Sequence, residues 1–307
     1  SAFAVELDNR RARQRLFAAI EQARTTVHLE YYMVRDGAFG DQLGARLCRA
    51  ARRGVRVRLL VDALYSIDGV AGATNALARG LVSEPGIEVV SAQPIVSRVD
   101  LEPLVLKRRD HRKIVVVDGQ LAFVGGRNAA DEYYTGFDEV AITDWTPHHR
   151  IPWLDAHVEV RGTLVGAIER AFAARWIEAG GDAPGGVIED PAPAGASRAR
   201  LLLHDGVDDA AAMLAYEALI DGAASHVWVV NDFPIVPSLQ LALRRALHRG
   251  VRVRILTGCA VPRRHDGTFL PGPLHREAFE YMTKKRLEPL LRAGAEVWEH
   301  VAPPHPL

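Results

Sequence analysis

The stretch RDHRKIVVVDGQLAFVGGRN, residues 109–128, carries six polar or glycine positions in the spacing HxKx4Dx6GGxN, namely His111, Lys113, Asp118, Gly125, Gly126 and Asn128. Its β-branched run at 114–117 is typical of a buried strand, and the Asp-Gly pair that follows is a hairpin signal. A second strand is predicted at 121–124, after which two glycines let the backbone come close to a ligand. Because side chains alternate along a strand, His111 and Lys113 point the same way. An imidazole and an ammonium beside glycine backbone and an Asn amide suit an oxyanion such as phosphate.

These six positions resemble the HKD motif of the phospholipase D superfamily, and six fixed residues at defined gaps outweigh the alternative of an ordinary β-hairpin with a surface His and Lys. The resemblance implies a covalent reaction. One imidazole attacks the phosphorus of a phosphodiester, and an alcohol or water then resolves the phosphohistidine. Lys113 and Asn128 would hold the non-bridging oxygens. Asp118 belongs to the same candidate catalytic set, although its turn position indicates that it ties down the hairpin. No metal or other cofactor is expected.

The sequence that follows the motif resembles the cardiolipin synthase-like branch of the superfamily in particular. The shared patterns GGxNxxDEY, WxDxHxxxxG and FxxxW begin at residues 125, 153 and 172. The resemblance implies that Asp155 hydrogen-bonds one nitrogen of His111 and so fixes the tautomer in which the other nitrogen attacks. Glu132 competes for that role, and Asp155 has the plainer alternative of a turn bond at a strand entry. Tyr133 and Tyr134 are equally open to a packing role.

Segments on both sides of the motif are candidates for contact with a substrate. The irregular stretch 131–153 is expected to line the entrance, with Tyr133, Tyr134 or Trp145 against the glycerol and acyl parts of a lipid. Before the motif, five basic residues fall within 107–113, which predicts either a solvated edge or an electrostatic funnel for an anionic head group. The candidate substrate-binding residues are Gly125, Gly126, Arg109, Tyr133 and Glu132.

The composition is that of an ordinary soluble α/β protein. The 307 residues suffice for two domains, with 48% hydrophobic and 25% charged residues. Lys plus Arg equals Asp plus Glu at 38 each, so the charge balance gives no argument for nucleic acid. Two cysteines argue against a disulfide framework. No apolar run approaches the roughly 18 residues of a membrane span, and no signal peptide is visible. The numbering opens inside domain-like sequence, which leaves room for an upstream segment.

Helical and strand periods alternate along the first lobe. They predict helices at 9–23 and 39–53, strands at 26–34, 55–61 and 87–90, and a turn at Leu77–Leu81. Helix followed by strand, repeated, indicates a largely parallel sheet with helices on both faces.

A second, similar lobe follows a Gly/Pro/Ala-rich segment. That segment predicts a linker at 181–199 between a first lobe at 1–180 and a second at 200–307. RGVRVRLLVD at residue 53 returns as RGVRVRILTG at 249, GIEVV at 86 returns as GAEVW at 294, and IEQARTTV at 20 matches IDGAASHV at 220. Three matches in one order indicate a domain-sized duplication. The predicted fold is a duplicated phospholipase D-like αβα sandwich with mixed, mostly parallel sheets.

The second copy lacks an HKD motif of its own, since the position two after His305 is Leu307 and not Lys. The resemblance implies two motifs that face each other, with one His as the nucleophile and the other protonating the leaving oxygen. We expect that the second lobe is cut short at its C-terminus. The alternative is that a partner supplies the second His.

Basic residues gather in the second lobe, at Arg244, Arg245, Arg249, Arg252 and Arg254 and within 263–265. They predict either a solvated surface or attachment to an anionic membrane at about 1 kcal/mol per basic residue. In the second case the protein would lie peripherally on the cytoplasmic face of a bacterial-type membrane.

The leading functional hypothesis is a phosphatidyltransferase that moves a phosphatidyl group from an anionic glycerophospholipid to an alcohol acceptor. Its alternatives are a phospholipase D or phosphodiesterase that uses water, and a non-catalytic membrane-binding pair of lobes. The neutral charge disfavours a nuclease, and hence nucleic acid as a partner. The identity of the acceptor and the oligomeric state are left open.

Overall fold

The structure, a computed structural model, describes residues 1–64, 75–94, 97, 109–143, 146, 150–183, 185–204, 210–231, 236–258 and 273–300, with the side chains of 273–280, 282 and 283 left out. Contacts divide the chain into two compact units. The first comprises Ser1–Val140 and Pro152–Leu201, and the second is formed mainly by the chain from Asp208 onward. Each unit is described by itself.

The first unit is built on a seven-stranded mixed sheet in the order β1-β7-β6-β5-β2-β3-β4. Its strands are β1 (Ala2–Glu6), β2 (Thr26–Tyr31), β3 (Arg56–Asp62), β4 (Ile87–Ala92), β5 (Lys113–Val117), β6 (Leu121–Gly125) and β7 (His157–Arg161). The pairs β2–β3 and β3–β4 are parallel, whereas the other four pairs are antiparallel.

The predicted mixed α/β class is confirmed, but the predicted predominance of parallel strands does not hold in this sheet. Helices connect β2, β3 and β4, and a helical crossover is what parallel neighbours need. The motif strands β5 and β6 are joined by a tight turn, which permits only antiparallel pairing.

Helices cover both faces of the sheet. Helices α1 (Asn9–Gln22), α2 (Ala38–Arg52), α3 (Ala76–Val82) and the single-turn α4 (Asp131–Tyr134) pack on one face, and α5 (Leu164–Glu178) packs on the other. The run Ile114–Val117 is buried on both sides. Val115 and Val117 join the core under α1 and α2, while Ile114 and Val116 join the core under α5. The continuous apolar run therefore follows from burial on two faces.

Helix α3 corrects one local prediction, because Leu77–Leu81 were expected to form a turn. The Asn75 side chain accepts a hydrogen bond from the backbone N–H of Ala78 at 3.0 Å, which caps the start of the helix. The glycine-rich sequence just before it obscured this N-cap signal.

Asp118 anchors the turn of the motif hairpin. Three residues, 118–120, join the paired residues Val117 and Leu121. Asp118 and Gly119 have φ of 53° and 62°, and the backbone N–H of Gln120 donates to the carbonyl of Val117 at 3.0 Å, which closes a tight turn. The Asp118 carboxylate accepts hydrogen bonds from the backbone N–H groups of Arg24 (2.9 Å), Thr25 (2.7 Å) and Thr26 (3.0 Å), and from the Thr25 hydroxyl (2.9 Å). The hairpin turn is thereby tied to the start of β2.

Asp118→Ala is expected to lower the free energy of unfolding by about 3 kcal/mol, since it leaves several N–H donors without an acceptor and puts alanine at positive φ. Burial raises the pKa of Asp118, but the backbone donors outweigh burial and lower it below its ordinary 3.8. The part of this difference that comes from the ionised carboxylate should therefore be fully present above about pH 4 and should be lost as the pH falls through the folded pKa, whereas the cost of alanine at positive φ should remain.

Urea unfolding of Asp118→Ala at pH 7 and pH 3 measures this effect. Asp118→Asn, which tolerates positive φ and keeps one acceptor oxygen, is the control and should lose about half as much. Equal stability of Asp118→Ala and wild type at pH 7 would show that the carboxylate does not hold the turn.

The second unit repeats the helix–strand order of the first. Its elements are α6 (Ala211–Asp221), β8 (His226–Asn231), α7 (Pro237–His248), β9 (Arg252–Gly258), α8 (Pro273–Arg292) and β10 (Glu296–His300). The three strands form a parallel sheet in the order β10-β9-β8. This series matches α1-β2-α2-β3-α3-β4 of the first unit, so the predicted duplication is confirmed. Counterparts of β5, β6 and β7 are not among the described residues.

The match extends to single hydrogen bonds. In the first unit the Arg53 guanidinium donates to the carbonyl of Ile20 at 3.2 Å, and in the second Arg249 donates to the carbonyl of Ile220 at 2.9 Å. Gly54 and Gly250 end α2 and α7 with φ of 89° and 84°, a conformation that favours glycine. The RGVRVR sequence recurs because it builds the same helix end and strand entry twice.

The segment 181–199, predicted as a linker, contains no helix or strand among its described residues. It follows the surface of the first unit. The amino terminus of Ser1 donates to the carbonyls of Gly195 at 3.2 Å and Ser197 at 3.0 Å, and the Trp176 indole donates to the carbonyl of Asp182 at 3.1 Å. Its role as a linker, and the lobe limits 1–180 and 200–307, stay predictions.

Candidate active site

His111 and Lys113 lie side by side where the chain enters β5. The Lys113 ammonium is 2.9 Å from Nδ1 of His111 and donates to the His111 carbonyl at 2.6 Å. The Tyr32 ring lies against the imidazole with a centroid distance of 4.3 Å, and it also faces the ammonium at 5.1 Å. The imidazole is exposed at one edge, whereas Lys113 is buried. The expected pairing of imidazole and ammonium on one face is present in the structure.

The surroundings set the protonation states of both groups. Desolvation, and then the neighbouring ammonium, lower the pKa of His111 to about 4. Desolvation also lowers the pKa of Lys113 to about 8, although the charges of Asp155 and Asp110 oppose that shift. At neutral pH a neutral imidazole therefore lies beside a charged ammonium. This is the combination that a nucleophile for a phosphodiester requires.

Asn128 is buried and fixed in orientation by two neighbours. Its Oδ1 accepts the backbone N–H of Met33 at 3.2 Å, and its Nδ2 donates to the Tyr133 hydroxyl at 3.0 Å. The Tyr133 ring packs against Trp153 with centroids 5.1 Å apart. Burial raises the pKa of Tyr133 above its ordinary range, so its hydroxyl stays protonated. Tyr133 thus holds the Asn128 amide.

Tyr133 and Tyr134 were expected either against a lipid at the entrance or in a packing role, and their burial agrees with the packing role. Their exposed fractions are 5% and 3%, and Tyr134 stacks on Phe39 with centroids 4.0 Å apart. Both belong to the core under α1 and α2. The pair lies on the short helix α4, which turns both rings inward. Trp145, the third expected lipid contact, lies outside the described residues.

Gly125 and Gly126 permit a close approach of protein to protein. A Cβ at Gly125 would overlap the backbone of Ala156 and His157, and a Cβ at Gly126 would overlap the Asp155 carboxylate. The two glycines therefore bring β7 and Asp155 against the end of β6. The expected approach of a ligand to this backbone stays a prediction.

Asp155 lies beside the site, but the described contacts include no hydrogen bond between its carboxylate and the imidazole. Its carboxylate accepts the backbone N–H of Ala156 at 2.6 Å, and among the described contacts Nδ1 of His111 is faced by Lys113 instead. Burial raises the pKa of Asp155, and Arg127 and Lys113 oppose that shift. The turn bond that was the plainer alternative is present. The tautomer-fixing role stays a prediction.

Glu132, the competing carboxylate, is buried and forms an ion pair with Arg35 at 3.1 Å. Burial raises its pKa, and Arg35 acts in the opposite sense. The backbone carbonyl of Glu132 accepts the N–H of Trp153 at 2.7 Å. These contacts give Glu132 a structural role on the segment that follows the motif.

Arg109, predicted to bind substrate, instead lies in a buried ion pair. Its guanidinium donates to Asp62 at 3.0 Å and to the carbonyl of Gln93 at 2.7 Å, and its side chain is 4% exposed. Burial raises the pKa of Asp62 to about 6, against the opposing effect of Arg109. Arg109 thus joins the motif segment to the ends of β3 and β4. Lys107 and Arg108 lie outside the described residues.

Asp118 does not share the site with His111. It lies five positions after Lys113, which corresponds to roughly 17 Å along the extended strand. Its grouping with the catalytic residues is therefore corrected, while the interpretation that it ties down the hairpin agrees with its contacts.

Arg127 is a residue that sequence reasoning missed, since it occupies the unspecified position of GGxN. Its exposed fraction is 2%. The guanidinium donates to Asn9 at 2.5 Å and to the carbonyls of Tyr133 at 2.6 Å, Leu7 at 3.0 Å and Asp155 at 2.5 Å. One buried cation thus positions the backbone of two candidate residues. A single charged letter in the sequence carries no signal of this role.

Comparisons with known proteins show which families this chain resembles. The family model described as "Cardiolipin synthase, PLD-like domain" matches residues 16–155. Cardiolipin synthase A of Pseudomonas putida is 31% identical over 268 residues, an alignment that covers 86% of this chain and 51% of that protein. Cardiolipin synthase of Geobacillus kaustophilus is 30% identical over 302 residues, covering 93% of this chain and 52% of that protein. The chain spans about half the length of the curated relatives it matches.

Among solved structures, phosphatidylserine synthase of Haemophilus influenzae aligns with a TM-score of 0.63 and 12% sequence identity, over 97% of this chain and 73% of that one. At that identity the likeness concerns the fold. His111, Lys113, Asn128 and Asp155 of this chain all lie within residues 16–155, the part that the family model matches. Residues 16–155 therefore match a cardiolipin synthase-like domain of the phospholipase D superfamily.

Proposed function

We propose that this chain carries one half of the active site of a phosphatidyltransferase of the cardiolipin synthase-like kind. The observation that carries the proposal is the neutral imidazole of His111 next to the charged ammonium of Lys113. The relatives named cardiolipin synthase support the substrate class. Because these relatives are about twice as long as this chain, the activity of the whole protein is proposed for this chain and not carried over from them.

In the proposed reaction, a ring nitrogen of His111 attacks the phosphorus of a glycerophospholipid. The P–N bond forms, the P–O bond to the leaving alcohol breaks, and that oxygen takes a proton from a general acid. The hydroxyl of an acceptor alcohol then attacks the phosphohistidine and gives its proton to the group that acted as the general acid, so that a new P–O bond replaces the P–N bond. The chain contains no second His-x-Lys pair, so the general acid is assigned to a His outside this sequence. In this scheme His111 is the nucleophile. In the reverse assignment the outside His attacks, and His111 protonates the leaving oxygen.

Lys113 and Asn128 are proposed to hold the phosphate. A phosphate oxygen is a better partner for the ammonium than an imidazole nitrogen is, so Lys113 would move its hydrogen bond from Nδ1 of His111 to the substrate. Nδ1 can then hold the ring proton and donate it in a hydrogen bond to the Asp155 carboxylate, while Nε2 attacks. Tyr133 takes one of the two Nδ2 hydrogens of Asn128, and the other is assigned to a non-bridging oxygen.

The proposed partners are an anionic glycerophospholipid, an alcohol acceptor and a membrane surface that the protein contacts peripherally. No helix in the described part of the chain is both long enough and apolar enough to cross a bilayer. The basic residues of the second unit are partly neutralised, because Arg245 and Arg249 pair with Asp221 and Arg254 pairs with Glu296. Arg244 remains exposed. The basic residues at 263–265 lie outside the described residues.

The proposal is tested by giving the full-length natural protein vesicles of phosphatidylglycerol with and without an added lipid alcohol. The expected result is a transphosphatidylated product whose yield rises with the alcohol, since a pocket that excludes water lets an alcohol resolve the phosphohistidine. Thin-layer separation of radiolabelled lipids measures it.

Two results would contradict the proposal. Phosphatidic acid as the sole product, unchanged by added alcohol, would assign the site to a hydrolase. No turnover of any phospholipid, together with tight binding to the same vesicles, would favour the non-catalytic pair of lobes.

A further inference from the structure

A buried network of four ionisable side chains lies behind His111. The Asp110 carboxylate accepts from the Arg112 guanidinium at 2.5 Å and from Nε of Arg175 at 2.8 Å. Nε of Arg112 also lies 3.0 Å from the carboxylate of Glu30. The exposed fractions of the Glu30, Asp110 and Arg175 side chains are 3%, 10% and 11%. Surface ion pairs contribute little to stability, but buried charges such as those of Asp110 and Arg175 persist only where they are paired and hydrogen-bonded, as these two are to each other.

The network reaches the motif from the opposite face of the sheet. Side chains alternate in extended chain, so Asp110 and Arg112 point toward α5 while His111 between them points toward Lys113. Asp110 also accepts the backbone N–H of Arg112 at 3.0 Å, and its own N–H donates to the Gln93 side chain at 3.1 Å. The two residues that bracket His111 are thus fixed through both backbone and side chain.

Arg175 is the member that comes from a distant part of the chain. It lies on α5, 64 residues after His111 in the sequence, and it reaches Asp110 without contacting the imidazole. It also pairs with Glu178 at 2.7 Å on the exposed side of the helix. Burial would raise the pKa of Asp110, but hydrogen bonds and charge from Arg112 outweigh it and lower the pKa. Asp110 is therefore an anion that needs its two cations.

We infer that Arg175 and Asp110 are positioning residues for His111, which hold the backbone at 110–112 so that the imidazole stays within reach of Lys113 and of a bound phosphate. The described contacts of the Arg175 side chain are with Asp110 and Glu178 and not with the imidazole. A misplacement of the reacting group by about 1 Å can cost on the order of 100-fold in rate, so a buried anchor of this kind matters to the reaction.

The test replaces Arg175 by Met in the full-length protein, which keeps the aliphatic stem and removes the guanidinium. In its kinetic arm, which rests on the proposed function, kcat should fall about 10- to 100-fold. KM for the lipid should stay within about twofold, because the lipid-binding groups are unchanged. Arg170→Met is the matched control. It lies on the same helix, and its ion pair with Asp190 is about half exposed, so both constants should stay at the wild-type values.

A second arm does not depend on any reaction. In the 307-residue chain, NMR spectra of the His111 ring should show a changed and broadened resonance in Arg175→Met and a wild-type resonance in Arg170→Met. Arg175→Lys retains the charge but not the fork of donors, so it should give an intermediate kcat. It also keeps the comparison possible if Arg175→Met does not fold.

Equal kcat values and equal His111 resonances in Arg175→Met and Arg170→Met would overturn the inference. A fall in kcat that only follows a loss of folded protein, measured by circular dichroism on the same samples, would overturn it as well. If His111→Ala retains full activity, the proposed function fails, and the NMR comparison then decides the positioning role by itself.

Discussion

His111→Ala is expected to lower the rate of phosphatidyl transfer in the full-length protein by about 1,000-fold or more, which makes it the most damaging change in the chain. The substitution removes the nitrogen that either bonds to phosphorus or protonates the leaving oxygen. Binding of the lipid by other groups cannot replace that step. The folded state should be unaffected, because the imidazole is exposed at one edge of the site. Transfer assays and circular dichroism on the same samples measure both effects.

His248→Ala is the matched control, since His248 is an exposed residue at the end of α7 and should leave the rate unchanged. Acid-quenched reactions of the wild type with labelled lipid should contain an acid-labile protein phosphate if His111 is the nucleophile. Transfer at the wild-type rate by His111→Ala would remove this residue from the mechanism.

Lys113→Met is expected to lower kcat by about 100- to 1,000-fold, because it removes the cation that neutralises the phosphate as negative charge develops. The same change should raise the free energy of unfolding. Folding lowers the pKa of Lys113 from 10.5 to about 8, so the charged form is the one that the folded protein disfavours, at a cost on the order of 3 kcal/mol near pH 7. Loss of activity with gain of stability would mark a residue retained for function.

The pH dependence of the wild type should follow from the same two groups. Reaction needs neutral His111 and charged Lys113, so kcat/KM should rise as the pH increases through about 4 and fall as it increases through about 8. Lys113→Arg, which does not lose its charge in that range, should lack the alkaline fall in whatever activity it retains. Lys285→Met, which replaces an exposed lysine on α8, is the control and should keep the wild-type activity and pH dependence. A Lys113→Met protein that is fully active would refute the assignment.

The motif could be interpreted from the sequence because its information is local. A β-branched run and an Asp-Gly turn predict a buried strand and a hairpin, and the alternation of side chains places His111 and Lys113 together without reference to the rest of the chain. The duplication was equally accessible, since RGVRVR recurs wherever the same helix end and strand entry are built. The N-cap at Asn75 was a local signal that was overlooked.

The contacts that tertiary structure decided all cross between distant segments. Tyr133 and Tyr134 face inward because α4 packs under α1 and α2, and periodicity cannot assign a side to a single helical turn. Arg109 was predicted to contact substrate because it lies among basic residues. It instead pairs in the interior with Asp62, which lies at the end of β3. The antiparallel half of the sheet follows from the tight hairpin and from where β7 and β1 return.

By itself, the sequence determined the resemblance to the superfamily, the hairpin, the pair of His111 and Lys113 and the repeated lobe, because these depend on residue order over a few positions. Only the tertiary structure decided which charged residues stay near the site and which are taken up in the interior. Arg127, Arg175 and Asp110 acquire their partners from residues far away in the sequence, and a buried charge is stable only where such partners surround it.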